Sequence, residues 1–284
     1  MAQAVAAAQT QTDVRLGFWA TDLVLLGQPL AARGVRQPLD YLLRAGDFSL
    51  LAQVAVVRGD AGDLLRTAQP GGSGLEIGQR LKHSLHTATG SIPVPFWRFV
   101  ARLSVPYAAA WAPAFRVTPA GYRADGTALF RGDRLAGFLD TPQTDTLSWL
   151  LKPGGFGALT FTDPVSGQTV TLDVVGRTRT QLVTGAGSAV LALDLRGTLR
   201  EGAGLSLESA AEKSELERAA AGQAERNLRE VLDRLQAAGS DVLDFGELER
   251  EQDPAAVRDW PQWFSHLSIR LRVSVRLLPG GRLG

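Results

Sequence analysis

The sequence predicts an α+β protein: several mixed α/β domains, the last of which packs an antiparallel sheet on a long helix. Three observations carry this expectation. Strand-like and helix-like segments alternate through residues 14–67. A single helical pattern runs from Ser206 to Ala238. The segment Leu267–Leu277 alternates apolar and polar residues without a break.

In order, Val14–Gly27 (VRLGFWATDLVLLG) is apolar enough for a buried strand, with a turn at Gln28-Pro29. Pro38 suits the first position of a short helix, where its missing N–H is no loss, and Leu39, Leu42 and Leu43 share one face. Leu50–Arg58 is β-branched and closes on Gly59-Asp60, as a second buried strand does. Asp60–Thr67 adds a short helix and completes a β-α-β-α order. Pro70–Gly74 reads as a linker. Two helices are expected beyond it, Leu75–Thr87 and Pro95–Leu103, then a strand within Tyr107–Thr118.

In the second half, Ala128–Phe138 is two apolar runs around Gly132-Asp133, the signature of a two-residue type II′ hairpin with Phe130 opposite Leu135. Thr141–Leu151 follows as a helix with Pro142 near its start. Strands are expected at Ala158–Asp163, Thr169–Val175 and Ala189–Leu199. The last places Leu191, Leu193, Leu195 and Leu199 on one face and Asp194, Arg196 and Arg200 on the other. In the long helix, Leu228, Val231, Leu232 and Leu235 make one stripe, and Glu225–Arg229 and Glu230–Arg234 are spaced as i,i+4 pairs. Gly222 interrupts it and Gly239 stops it. The boundaries expected from composition and turns are 1–68, 69–123 and 124–284.

Composition narrows the chemistry. The 284 residues are 45% hydrophobic and 21% charged, enough for a packed core and unlike a disordered chain. A net charge of +1 gives no global pull toward nucleic acid. Lysine occurs only at Lys82, Lys152 and Lys213, against many arginines; codon bias and selection for heat resistance both fit. The absence of cysteine excludes disulfides and thiolate chemistry within this chain. No apolar run is long enough to span a bilayer, and residues 1–13 lack the basic and apolar regions of a signal peptide.

No catalytic or cofactor motif stands out. His83 and His86 lie three apart on an expected helix, a spacing open to metal binding or to a solvated face. Asp244-Phe245-Gly246 spells a kinase magnesium tripeptide, but the Gly-rich loop and catalytic loop of a kinase are missing. Gly71-Gly72 and Gly154-Gly155 lack the Lys-Ser/Thr of a phosphate loop. Trp260, Trp263 and Phe264 fit either a ligand platform or a core contact beside the final strand. Arg270, Arg272 and Arg276 form a basic stripe, readable as a solvated sheet face or as a surface for anionic lipid or an acidic partner.

Two blocks carry a family resemblance. GTALFRGDRLAGFLD (Gly126–Asp140) looks like the entry hairpin of the C-terminal domain of the Ger(x)C family of spore germination proteins. Asp241–Gly281 resembles its other signature: an Asp-rich turn with Asp241, then Phe245-Gly246, Pro254, Trp260, Trp263 and Phe264, and a strand with Val273-Ser274-Val275. LVLLGQPLAARGV (Leu23–Val35) and PLDYLLRAGDF (Pro38–Phe48) are similar to first-half segments of the same family.

The resemblance implies a non-enzymatic lipoprotein on the outer face of the spore inner membrane. It would act as scaffold or signal-transmitting component of a nutrient germinant receptor, beside integral membrane A- and B-type subunits. It also implies a signal peptide, a lipobox cysteine and early strands, none of which this chain carries. The expectation is a late start within its gene, the alternative being a member that has lost its anchor, with a lipid anchor missing and an exposed edge on the first sheet. The rival readings are a hydrolase of cortex or envelope polymers and a stand-alone envelope-binding module.

Overall fold

In the two apolar segments expected as strands, residues 16–22 and 50–52 stay out of any sheet. Phe18 donates its N–H to the Asp47 carboxylate (3.1 Å), and Trp19 and Leu51 remain exposed. The strands are the back halves, β1 (Leu23–Gly27) and β2 (Gln53–Arg58). This computed structural model describes residues 2–13, 16–68, 74–87, 90–151, 156–183, 187–202, 209–253 and 260–278. Residues 70–73 of the expected linker Pro70–Gly74, the Gly154-Gly155 pair with Lys152, Ser206 and Pro254 lie outside them. The chain divides into two compact units, 1–138 and 139–284.

In the first unit Gln28-Pro29 is not a turn. It opens the helix α2 (Gln28–Arg33), whose first turn tolerates proline because the N–H it lacks has no intrahelical partner there. An N-terminal helix α1 (Ala2–Gln9) precedes β1. The third helix, α3 (Arg36–Arg44), buries Leu39 and Leu42 and leaves Leu43 exposed. After β2 come α4 (Ala61–Ala68), α5 (Gly74–Thr87) and α6 (Phe96–Leu103), then β3 (Trp111–Thr118), β4 (Gly121–Arg131) and β5 (Arg134–Leu139).

Among the described residues these strands form one sheet in the order β1-β2-β3-β4-β5. The β1–β2 and β2–β3 pairs are parallel, with helical crossovers between them, and β3–β4 is antiparallel. Strands from all three stretches 1–68, 69–123 and 124–284 therefore share one sheet. Val54–Val57 of β2 are all buried, as in a strand covered on both faces. Ala55 and Val57 pack with Leu64 of α4, Leu81 of α5 and Phe115 of β3. Phe99 of α6 meets Phe130 of β4 edge to face, centroids 5.1 Å apart.

The hairpin at Gly132-Asp133 is the expected type. Gly132 has φ +58 while Asp133 does not enter positive φ, which fits type II′ and rules out type I′. Asp133 also anchors the start of α3: its carbonyl accepts from Val35 N (2.9 Å) and its carboxylate from Arg36 N (3.4 Å).

In the second unit Asp140 and Gln143 exchange bonds across the first turn of α7 (Thr141–Leu151), a capping box. Strands β6 (Phe156–Thr162), β7 (Thr169–Val183), β8 (Ser188–Glu201) and β9 (Ser268–Leu277) form a second sheet in that order. Trp149 of α7 packs so closely on β6 that a Cβ at Gly157 would lie 2.5 Å from its indole nitrogen.

The antiparallel expectation needs correction at one strand. The β6–β7 and β7–β8 pairs are antiparallel, but β9 joins β8 in parallel. The reason is the helix α8 (Ala210–Ala238), whose 29 residues return the chain to the end of the sheet where β8 began. Ser209 caps its start by accepting from Glu212 N, and Gly239, at φ +58, closes its end. Leu216, Ala220, Ala224, Leu228, Val231, Leu232 and Leu235 form its buried stripe.

Side chains of α8 also reach the outer edge of β9. Glu217 accepts from Leu277 N (2.7 Å) and Arg229 donates to the Ile269 carbonyl (2.9 Å). Arg229, expected to pair with Glu225, is thus directed to a backbone group that would otherwise lack a partner.

Candidate partner-binding surface on the C-terminal sheet

Alternation along β9 sends Ile269, Leu271, Val275 and Leu277 inward and leaves Arg270, Arg272 and Arg276 exposed. Register extends the stripe sideways into a basic face. Arg276 lies beside Arg196 of β8, and Arg272 beside Ala192, whose other neighbour is Arg179 of β7. Between these rows runs Arg177–Asp194–Ser274. Ser274 donates its hydroxyl to the Asp194 carboxylate at 2.5 Å. Residues of β7, β8 and β9 here enclose a shallow cleft of about 360 Å³.

Among the described residues, none of Arg177, Arg179, Arg196, Arg270, Arg272 and Arg276 stands within ion-pair distance of a carboxylate, whereas the nearby Arg200 pairs with Asp173. The face is therefore a strong positive field next to water. Sequence reasoning placed the β9 arginines and Arg196 correctly on the outward faces of their strands. It missed Arg177 and Arg179 because the strand expectation ended at Val175. The signal lay in the continuing alternation of arginine with the β-branched Thr178 and Thr180.

The other candidates resolve into structure. Trp260 and Phe264 of α10 (Trp260–His266) are buried, and Trp263 stacks on Trp260 with centroids 4.5 Å apart. The Trp260 indole donates to Asp241 Oδ2 (3.1 Å). The same buried carboxylate accepts from Leu243 N, Phe245 N and Gly246 N. Asp244-Phe245-Gly246 is thus the start of α9 (Phe245–Gln252), with Asp244 at φ +64 making the turn. His83 and His86 both fall on α5. Among the described residues no group of three or more His, Asp or Glu could hold a metal ion. No helix among them is long and apolar enough to cross a membrane.

The first unit also gathers arginines, with a different outcome. Asp125, whose side chain is 11% exposed, is met by Arg58 and Arg116 at 2.8 Å and by Arg123 at 3.1 Å. Burial pushes its pKa up, but the Arg116 hydrogen bond and the charges of Arg58, Arg116 and Arg123 outweigh it and hold the carboxyl below the ordinary carboxylate range.

Comparison with known proteins gives a consistent picture. Residues 1–117 match the family model described as spore germination protein N-terminal domain, and residues 125–281 that described as spore germination B3/GerAC like, C-terminal. The crystal structure of the GerBC protein is similar, with a TM-score of 0.71 at 20% identity, over 96% of this chain and 83% of that one. At that identity the structural likeness concerns the fold. A search of curated proteins finds no match.

Proposed function

From a chain that belongs to the spore germination GerAC-like, or Ger(x)C, family, we propose a non-enzymatic subunit of a nutrient germinant receptor. In this reading it acts as a scaffold or passes the nutrient signal on, beside integral membrane A- and B-type subunits at the outer face of the spore inner membrane. The observation that carries the reading is that N-terminal and C-terminal family matches follow one another in a single chain and cover both of its compact units. The exposed stripe Arg270, Arg272 and Arg276 is the face we assign to a partner or membrane surface.

Deletion of the gene is the test. Spores of the deletion strain should respond more weakly to at least one nutrient, while enzymatic opening of the cortex still releases them normally. The membrane subunits should co-purify with a tagged copy of this chain. An unchanged nutrient response with no co-purifying membrane protein would overturn the reading. So would turnover of a cortex fragment by the purified protein that a single carboxylate substitution abolishes.

A further inference from the structure

Among the described residues, four of the six arginines without an acid partner on the open face of the C-terminal sheet surround one cleft. Arg177 and Arg179 stand on β7, Arg196 on β8 and Arg276 on β9, with Asp194 and Ser274 among the remaining lining residues. Four arginines against one aspartate give the lining a net charge of +3.

Two observations separate this group from a cluster built for stability. Around Asp125 three arginines converge on one carboxylate at 2.8–3.1 Å. In the cleft Asp194 receives the Ser274 hydroxyl, and among the described residues no guanidinium lies within ion-pair distance of it. The cleft thus keeps its like charges unneutralised on three neighbouring strands, where they repel one another and focus a positive potential. Its volume of about 360 Å³ is at the small end for small-molecule sites, roughly 300–1,000 Å³. Planar guanidinium forks match oxyanion geometry with paired hydrogen bonds.

We propose that this cleft binds a small oxyanion carrying two or more negative charges, of the phosphate or phosphate-ester kind. Arg177, Arg179, Arg196 and Arg276 supply the donors. Asp194, held by Ser274, lies in the middle row, and the net charge of +3 that remains attracts a multiply charged anion more strongly than a singly charged one. The site belongs to this chain alone and does not rest on the receptor reading; it shares only Arg276 with the β9 stripe.

Titration calorimetry on the full chain with inorganic pyrophosphate tests it. The expected result is saturable binding at one site, weakened about tenfold by Arg196→Gln or by Arg177→Gln, as loss of a charged hydrogen bond predicts. Arg270→Gln and Arg272→Gln, outside the cleft, should change affinity less than about twofold. Arg196→Lys keeps the charge but not the fork and should fall between wild type and Arg196→Gln. Equal, small losses for all these variants would mean diffuse attraction and overturn the site, as would absence of saturable binding. Sedimentation with phosphatidylglycerol but not phosphatidylcholine vesicles, without binding of free pyrophosphate, would overturn it in favour of a lipid surface.

Discussion

The two sheets of this protein treat their arginines in opposite ways. In the first sheet helices cover both faces of the central strands, and its arginines at Arg58, Arg116 and Arg123 close on the buried Asp125. In the second sheet the strands alternate, one face is packed and the other is wet, and among the described residues six arginines stand without an acid partner, while Arg200 pairs with Asp173. The difference shows what burial demands. A charge drawn toward a core needs a counter-charge at contact distance, because desolvation is costly. A charge on a wet face needs none and remains available to something outside the molecule.

The largest expected effect tests the packed side of the second sheet. Trp260→Ala should destabilise by about 3–5 kcal/mol, since it removes a buried indole and takes one donor away from the buried Asp241 carboxylate. Chemical denaturation would show this as a lower midpoint. An unchanged midpoint would mean that the aromatic cluster is a surface feature after all.

Asp125→Ala comes next, at about 1.5–3 kcal/mol, because three arginines lose the charge that holds them. The pH dependence has a definite sign. The folded pKa of Asp125 is depressed, so its contribution is complete above the unfolded value of about 3.9. It is lost as pH falls through the folded pKa. Asp125→Asn should therefore flatten the acid side of a stability profile, and a profile parallel to wild type would show that the cluster is not coupled to folding.

Gly132→Val acts on the backbone alone, for nothing lies within 4 Å of a Cβ there. Forcing a β-branched residue to φ +58 should cost about 1–3 kcal/mol. A wild-type melting temperature would mean that the hairpin can change its turn. Arg272→Ser is expected to shift stability by no more than about 0.5 kcal/mol. A larger loss would mean that the open face serves the fold and would erase the contrast between the sheets.

Much of this was legible in the sequence where a local rule decides the outcome. The type II′ hairpin followed from Gly132-Asp133, α7 from Thr141–Leu151, and the end of α8 from Gly239. Where tertiary partners decide, local reading fell short. The apolar run 14–27 looks like strand throughout, yet residues 16–22 form no strand and Phe18 donates to Asp47 instead. The direction of β9 is invisible in its own alternation, because parallel and antiparallel strands show the same period of two. Arg270, Arg272 and Arg276 could be placed on a face from β9 alone, but the cleft needed the register of three strands.

The parallel partnership of β8 and β9 also bears on how the chain is made. Asp194 and Ser274 touch in the finished sheet yet are 80 residues apart along the chain. While a ribosome lays down α8 and the turns after it, the β7–β8 hairpin is already complete and β8 presents an unpaired edge of peptide groups. Leu191, Leu193 and Leu195 beside that edge are buried in the finished fold. Such an edge is a template for any second strand it meets. A polypeptide ending before Ser268 is therefore expected to self-associate on refolding, seen as light scattering that grows with concentration, whereas the chain that includes β9 fills its own edge and stays dispersed.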